Sequence, residues 1–410
     1  MPEHYDALET RDPEERERAL FAALPAQVAL ARAKSRHYAR LLSGVDPREV
    51  GSRAALAKLP VTRKSELPQL QKADPPFGGL TATPASGLAR IFMSPGPIFD
   101  PEGRRPDYWR TARTLFAAGF RPGDVALNCF SYHLTPAGSM LETGLHHLGC
   151  AVIPGGVGQT ELQAQAIAQL APSGYVGTPS FLKLIVEKCD ELAIASKCVA
   201  RALLSGEAFL PPVRAFLSER GIAAFQAYGT ADLGMVAYET PAREGLVVNE
   251  DIIVEIVRPG TGDPVAEGEV GEVVVTAFNA DYPLVRFATG DLSAVLAGAS
   301  PCGRTNVRIK GWMGRADQAT KVRGMFVHPH QVAEVLRRHG VARGRLVVEN
   351  HAGEDRMTLS VERAAGDASF VAAVEATLRD VMKLRGAVVC AAPGSLPNDG
   401  KVIDDARRYA

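Results

Sequence analysis

The stretch Gln226-Ala-Tyr-Gly-Thr-Ala-Asp-Leu-Gly234 places a turn glycine, a hydroxyl and a carboxylate directly after a predicted strand. In open α/β sheets, ligands bind in the loops that follow the carboxyl ends of the strands. An aromatic face, a small hydrogen-bonding group and an acid are therefore expected to meet in a binding site. Taken alone, the stretch is a weak signal, because tyrosine and glycine in a turn are usually structural.

The segments on both sides of this stretch predict the fold. From about residue 108 to 226, apolar helical patterns, the first of them over Tyr108–Ala118, alternate with short β-rich runs, which is typical of parallel sheets layered with helices. After residue 240, strands and turns follow one another without long helices and predict a β-rich subdomain. The tail from about 315 has the pattern helix, strand, strand, helix, strand.

We therefore predict an α/β protein with two domains. A large N-terminal domain, residues 1–316, combines layered α/β sheets with the β-rich subdomain. A small α+β C-terminal domain, residues 317–410, is expected to be mobile.

Composition excludes several classes of function. The 410 residues hold 46 Lys plus Arg against 46 Asp plus Glu, and a nucleic-acid groove needs a basic excess. A run of about 18 apolar residues, which a membrane span needs, is absent from the sequence. The six cysteines are scattered without a CxxC pair and favour free thiols in a reducing cytoplasm. The helical pattern over 14–42 is compatible with a homodimer.

Three further clusters follow the first one along the chain. In Arg286-Phe-Ala-Thr-Gly-Asp291, the carboxylate of Asp291 can accept two hydrogen bonds from a ribose diol, although an Asx turn explains it equally well. The segment Gly314-Arg-Ala-Asp-Gln-Ala-Thr-Lys-Val-Arg-Gly324 lies where the predicted domains meet. The loop Leu396-Pro-Asn-Asp-Gly-Lys401 presents one lysine, whose bland interpretation is a solvated side chain.

In this order and spacing, the four clusters resemble the adenylate-forming (AMP-forming acyl-CoA synthetase and ligase) superfamily, and within it the phenylacetate-CoA ligase-like family. The segments 4–11, 56–67, 117–134, 148–163 and 175–182 carry the same resemblance, so it covers nearly the whole chain. The resemblance implies that a small aromatic, phenylacetate-like carboxylic acid is activated with ATP to an acyl-adenylate. A thioester with coenzyme A then forms, and magnesium assists the first step.

Residue by residue, the resemblance assigns roles to individual side chains. Tyr228 lies against the adenine, Thr230 touches the α-phosphate, and Asp291 holds the ribose hydroxyls. The remaining assignments are Gly206, Glu207, Gly229 and Arg315 for nucleotide binding, Lys401 together with Thr230 for catalysis, Asp232 for the metal, Asp317 for the hinge, Arg323 and Gly324 for coenzyme A, and Tyr132 and His133 for the acid pocket.

Two of these assignments have open alternatives, and one differs from the family. Glu207 also fits a plain strand-to-helix turn, and His133 either orients a carboxylate or packs. At position 232 the family carries glutamate. Because aspartate is one methylene shorter, we expect a looser or water-bridged metal.

The phosphate loop departs most from the family. The family's Ser/Thr/Gly-rich loop ends in Gly-Lys-Pro, whereas the matching segment here contains Ser94-Pro95-Gly96-Pro97. Proline has no N–H group, and Asp100 and Glu102 add negative charge nearby. We expect pyrophosphate handling to be impaired or rebuilt. The alternative function is a divergent homologue that binds AMP or acyl-adenylate without efficient use of ATP, or that transfers the acyl group to an amine.

The sequence also predicts that zinc is absent. Some relatives carry Cys-x-Cys before a Gly-Arg-Thr segment, but residues 300–305 contain the single Cys302. One thiol does not complete a four-ligand structural site.

Overall fold

The chain divides into two compact units, Met1–Met313 and Gly314–Ala410. The computed structural model describes residues 3–94, 96–207, 209, 211–313, 315–316, 320–323, 325–327, 329–351, 354–363, 368–397 and 402–407. The division comes three residues before the predicted boundary after residue 316.

The first unit contains both long and short helices. The longest, α1, begins where the Asp12 carboxylate accepts hydrogen bonds from the amides of Glu14 and Glu15, with Pro13 in the first turn. The α-helices of the first unit are α1 (Pro13–Lys34), α2 (Arg36–Leu41), α3 (Arg53–Leu56), α4 (Leu67–Ala73), α5 (Thr111–Ala117), α6 (Ala137–Leu148), α7 (Thr160–Leu170), α8 (Pro179–Glu191) and α9 (Pro211–Glu219).

The strands of the first unit form two large sheets and a hairpin. They are β1 (Thr62–Arg63), β2 (Arg90–Ser94), β3 (Ile98–Glu102), β4 (Val125–Asn128), β5 (Ala151–Ile153), β6 (Gly174–Gly177), β7 (Arg201–Leu204), β8 (Ala223–Thr230), β9 (Gly234–Tyr238), β10 (Leu246–Val248), β11 (Ile252–Val257), β12 (Gly271–Ala277), β13 (Phe287–Ser293), β14 (Val295–Leu296) and β15 (Arg308–Ile309).

The larger sheet has nine strands in the order β14-β15-β10-β9-β8-β7-β6-β4-β5. The strands β5, β4, β6, β7 and β8 are parallel, and β8 pairs with β9 in the antiparallel sense. Apolar side chains of α5 and α6 pack on one face, and those of α7, α8 and α9 pack on the other. The carboxyl ends of these parallel strands therefore meet at one edge, where ligands bind in such folds.

The smaller sheet has the order β1-β13-β12-β11, with β1 parallel and the other neighbours antiparallel. It confirms the predicted β-rich subdomain. Phe21, Leu24 and Val28 of α1 belong to its apolar core. Arg286 lies buried beside it, with its Nε 3.0 Å from an oxygen of Glu255.

The second unit is a small α+β domain. Its elements are β16 (Thr320–Val322), β17 (Met325–Val327), α10 (Pro329–Arg338), β18 (Gly344–His351), β19 (Glu354–Glu362), α11 (Ala368–Met382), β20 (Ala387–Ala391) and β21 (Ile403–Asp405). Its sheet has the order β20-β19-β18-β21, and β16 and β17 form a hairpin. The predicted fold class is confirmed, whereas β16, β17 and β21 were not foreseen because three residues show no periodicity.

One predicted helix begins later than expected. The pattern predicted a helix from Tyr108 to Ala118, but α5 begins at Thr111. Asp107 and Arg110 have φ values of 47° and 58°, which interrupt a right-handed helix. Among the described residues, a helix long and apolar enough to cross a membrane is absent.

A buried histidine makes the stability of the first unit depend on pH. His37 lies within hydrogen-bond distance of Thr62, with 2.9 Å between Nε2 and Oγ1. Burial, and then the charge of Arg40, lower the pKa of His37 from 6.5 to about 4. Because the folded state disfavours the proton, the unfolded state gains it first, and stability is lost as the pH falls from 6.5 to about 4.

We expect His37→Gln to reduce the loss of stability between pH 6.5 and about 4, measured by urea unfolding at a series of pH values. The exposed His146→Gln serves as the matched control and should keep the wild-type pH dependence. An unchanged pH dependence in His37→Gln would exclude this residue as the source.

Candidate active site at the carboxyl edge of the sheet

The turn between β8 and β9 is shaped for close packing. Tyr228, Gly229 and Thr230 end β8, and the register shifts between Tyr228 and Gly229. Gly234 has φ +75°, and a Cβ there would lie 2.6 Å from the carbonyl oxygen of Trp109. Only glycine fits this position, so the turn that carries Asp232 is fixed against the Trp109 backbone.

Tyr228 and Asp291 connect the two sheets. The Tyr228 hydroxyl donates to Oδ2 of Asp291 at 2.9 Å and lies 3.1 Å from Oγ1 of Thr289. The indole N–H of Trp312 donates to the other oxygen of Asp291 at 3.1 Å. The structure thus brings together two residues predicted to bind adenine and ribose, which are 63 positions apart.

Asp232 is held by a lysine that the sequence analysis did not name. Its Oδ2 lies 2.6 Å from Nζ of Lys64, and its side chain is 0% exposed against 23% for Lys64. The other oxygen, Oδ1, is buried without a hydrogen-bond partner in the structure. Burial lowers the pKa of Lys64, but the charge and the hydrogen bond of Asp232 outweigh it and leave that pKa raised.

A second buried acid, Asp100, lies on β3 and interacts electrostatically with both members of this pair. Burial, and then the charge of Asp232, raise the pKa of Asp100 to about 8. The hydroxyl and amide of Ser94 act in the opposite direction. Neither carboxylate oxygen of Asp100 receives a hydrogen bond of normal geometry. An uncompensated buried acid of this kind is typical of functional sites.

The segment predicted to replace the phosphate loop is a regular β-hairpin. Strands β2 and β3 pair in the antiparallel sense, with Arg90 opposite Glu102 at one end and Ser94 opposite Ile98 at the other. Pairing of this kind occupies backbone amides that an open loop would offer to phosphate. Pro95 lies outside the described residues, and Gly96 has φ +154°. The hairpin is fixed to α4, because the Gln71 amide exchanges two hydrogen bonds of 2.8 Å with the backbone of Phe99.

Glu207 follows β7 at the same edge of the sheet and has a structural partner. Its Oε1 accepts a hydrogen bond of 2.6 Å from the Ser180 amide in the first turn of α8. The positive end of the helix dipole stabilises a carboxylate at this place. The contact supports the structural alternative for the side chain. Gly206 has φ +85°, which leaves its backbone in a turn that glycine favours.

The predicted acid-pocket residues follow β4. The amide of Asn128 donates to the Tyr132 hydroxyl at 2.8 Å, and burial raises the Tyr132 pKa. A Cβ on Gly138 would lie 2.8 Å from Cγ of Tyr132, so a glycine accommodates the ring. His133 is exposed rather than packed in a core.

The remaining predicted residues belong to the second unit. Arg315 lies at its beginning. Arg323 occupies the turn of the β16–β17 hairpin with φ +48°, and its amide donates to Oδ2 of Asp355 at 3.1 Å. The predicted hinge Asp317, the predicted coenzyme A residue Gly324 and the predicted catalytic Lys401 lie outside the described residues.

Sequence reasoning missed Lys64 as a member of the site. The residue lies inside the segment 56–67 that contributed to the family resemblance, but a lysine 168 positions from Asp232 gives no local signal. Asp100 was noticed only as unfavourable charge. The pairing of Lys64 with Asp232 and the interaction of Asp100 with Asp232 both arise only when distant segments of the chain fold together.

The donor set fits a hard cation better than zinc. In the part of the chain that the structure describes, a group of three or more His, Cys, Asp or Glu side chains arranged for a metal is absent. The orphaned oxygen of Asp232 is a ligand that magnesium accepts, since magnesium uses one or two carboxylates together with substrate phosphates.

Comparison with known proteins identifies close relatives. The family model described as AMP-binding enzyme matches residues 108–279. The chain is 33% identical over 316 residues to phenylacetate-coenzyme A ligase of Thermus thermophilus, covering 73% of this chain and 70% of the relative. The enzyme of the same name from Aromatoleum evansii is 30% identical over 345 residues, with 80% and 77% covered.

Solved structures agree with these sequence matches. A 2-hydroxyisobutyryl-CoA ligase, solved with 2-HIB-AMP and coenzyme A in the thioesterification state, superimposes with a TM-score of 0.75 at 25% identity. The match covers 100% of this chain and 95% of that enzyme. An open conformation of the same ligase gives a TM-score of 0.73 at 24% identity.

Removing Lys64 should destabilise the first unit. We expect Lys64→Met to lower the free energy of unfolding by about 3 kcal/mol, because it leaves Asp232 as an unpaired buried charge. Urea and thermal unfolding measure the change, and the exposed Lys72→Met is the matched control. The double variant Lys64→Met/Asp232→Asn should recover much of the loss. Equal stability of Lys64→Met and Lys72→Met would contradict a buried ion pair.

Proposed function

Because the chain belongs to the phenylacetate-coenzyme A ligase family, we propose that it activates a small aromatic carboxylic acid with ATP and transfers the acyl group to coenzyme A. In the first step, a carboxylate oxygen of the acid attacks the α-phosphorus of ATP, and pyrophosphate leaves. In the second step, the coenzyme A thiolate attacks the acyl carbon, AMP leaves, and a thioester forms. Both steps build or expel negative charge on phosphate oxygens.

The observation that carries the proposal is the contact between Tyr228 and Asp291 at the carboxyl edge of the sheet. It places an aromatic ring beside a carboxylate that is held by two neighbouring donors. A purine stacks on such a ring, and a ribose diol donates to such a carboxylate. Thr230 follows on the same strand, and its hydroxyl already accepts the Leu233 amide at 3.2 Å.

Magnesium fits the site through Asp232, whose oxygen Oδ1 is buried and has no partner. When bound, it would neutralise charge on the phosphate oxygens of ATP. Lys64 already lies beside this carboxylate. We propose that it contributes positive charge on the side of the site formed by the N-terminal segment.

Several finer assignments remain part of the proposal. Lys401 is the adenylation lysine, the second unit moves about Asp317, Arg315 contacts the nucleotide, and Arg323 and Gly324 border the coenzyme A path. Tyr132, supported by its contact with Asn128, lines the acid pocket. All six cysteines are free thiols, which supports a reducing compartment such as the cytoplasm. A homodimer is also proposed.

The β2–β3 hairpin favours one second candidate. With residues 90–94 paired to residues 98–102, few backbone amides of this segment are left for phosphate, and the chain would bind AMP or an acyl-adenylate and use ATP poorly. This candidate predicts that AMP binds at least as tightly as ATP in the presence of magnesium. It includes transfer of the acyl group to an amine instead of coenzyme A.

Purified protein incubated with phenylacetate and other aryl acids, ATP, magnesium and coenzyme A should release AMP and pyrophosphate and form the matching acyl-CoA. Chromatography with mass detection measures all three products. AMP release without a thioester, but with an amide when an amine is supplied, would support the second candidate. Tight AMP binding with no product from any acid would contradict the ligase assignment.

Lys401→Ala should separate the two half-reactions. We expect it to lower acid-dependent AMP release by about 100-fold or more, since it removes a charge that stabilises the transition state. Thioester formation from a supplied acyl-adenylate and coenzyme A should stay near the wild-type rate. Lys383→Ala, an exposed lysine of the same unit, is the control. Equal loss of both half-reactions would contradict a role specific to adenylation.

A further inference from the structure

Three carboxylate oxygens of two acids are buried and have no hydrogen-bond partner in the part of the chain that the structure describes. They are Oδ1 of Asp232 and both oxygens of Asp100, whose residue is 0% exposed. Burying an unpaired carboxylate costs on the order of several kcal/mol of folding free energy. Such a group is therefore expected where a ligand hydrogen-bonds or coordinates its oxygens. The two acids belong to different elements, the turn after β8 and the strand β3.

A third buried polar group interacts with the charges of both acids. The hydroxyl of Tyr282 is buried without a partner, and the residue is 1% exposed. The charges of Asp232 and Asp100 both act on this hydroxyl. Tyr282, Asp232 and Asp100 are thus three buried side chains with unpartnered polar atoms whose electrostatics are connected, and buried polar groups without partners call for an explanation.

Backbone contacts fix Asp100 in this position. Gln71 of α4 holds Phe99, the neighbour of Asp100, through two hydrogen bonds of 2.8 Å. The same N-terminal segment supplies Lys64, whose ammonium group bonds Asp232 and also interacts with the charge of Asp100. Lys64 therefore interacts with both acids, and Lys64, Asp232 and Asp100 together carry a net negative charge when both acids are ionised.

The oxygen atoms of Asp232, Asp100 and Tyr282 indicate which kind of ligand would bind. Carboxylate and hydroxyl oxygens are the ligands of hard divalent cations, and magnesium in particular takes one or two carboxylates and completes its shell with water and phosphate oxygens. A second carboxylate also offsets the short reach of an aspartate at position 232, where the family resemblance implies a glutamate.

We propose that Asp100 is the second carboxylate of a divalent-cation site that it forms with Asp232. The hairpin then contributes a cation ligand at the place where the family resemblance implies phosphate-binding amides. Lys64 neutralises Asp232 while the cation is absent and is released toward the phosphates of ATP when the cation is present. The site rests on the proposed function, because ATP supplies its remaining ligands.

The test measures cation dependence without turnover. The probe is an ATP analogue with a methylene group between the α- and β-phosphates, titrated by calorimetry with and without magnesium. In Asp100→Asn, the gain in affinity that magnesium gives should fall by about tenfold or more, while AMP affinity stays within about twofold of wild type. The control is Glu102→Gln on the same strand, a buried acid already paired with Arg90 and Ser139.

A second readout needs no nucleotide. Manganese alone at millimolar concentration should raise the melting temperature of the wild type, as a ligand of the native state does, and should raise that of Asp100→Asn less. The melting temperature of the metal-free variant shows that it is folded. The proposal would be overturned if wild type and Asp100→Asn gained equal affinity for the ATP analogue from magnesium and showed equal increases in melting temperature with manganese.

The outcomes separate this inference from the proposed function. Magnesium-dependent adenylate formation that Asp100→Asn leaves intact would overturn the cation site and keep the ligase assignment. Magnesium-dependent binding of the analogue that needs Asp100, in a protein that forms no adenylate, would keep the cation site and overturn the ligase assignment.

Discussion

The partly buried ion pair between Lys64 and Asp232 is the contact on which the rest of the site depends. It fixes the N-terminal segment to the turn after β8, and through Gln71 the same segment holds the β2–β3 hairpin. A buried pair of this kind contributes little net stability, because the loss of hydration offsets the attraction. We infer a functional role for the pair, since it places an ammonium group and a carboxylate at the edge where nucleotide is expected to bind.

The fold supplies the geometry that this pair needs. Parallel strands bring their carboxyl ends to one edge, and β13 of the smaller sheet reaches that edge through the contact of Asp291 with Tyr228. Close packing requires glycine at position 234, where a Cβ would meet the backbone of Trp109. The residues proposed to bind adenine, ribose and metal are thus positioned by the backbone of two sheets.

The sequence predicted much of this, for identifiable reasons. The alternation of strands and helices, the β-rich subdomain and the α+β tail are local patterns, and the motif order indicated Tyr228, Asp232 and Asp291. Lys64 and Asp100 were not assigned, because their roles arise from contacts between distant segments. The loss of phosphate-loop donors stays a prediction, because the ladder pairs residues 90–94 with residues 98–102 and leaves out the turn between them. Sequence alone did not indicate that the hairpin also carries an unpartnered carboxylate.

The central claim is that this chain forms an acyl-adenylate from ATP although a hairpin replaces the phosphate loop. Exchange of labelled pyrophosphate into ATP tests it most directly, because the exchange needs reversible adenylation and nothing from the second half-reaction. We expect exchange that requires both magnesium and an aryl acid such as phenylacetate. Absence of exchange across a panel of aryl acids, in protein that still binds AMP, would contradict it.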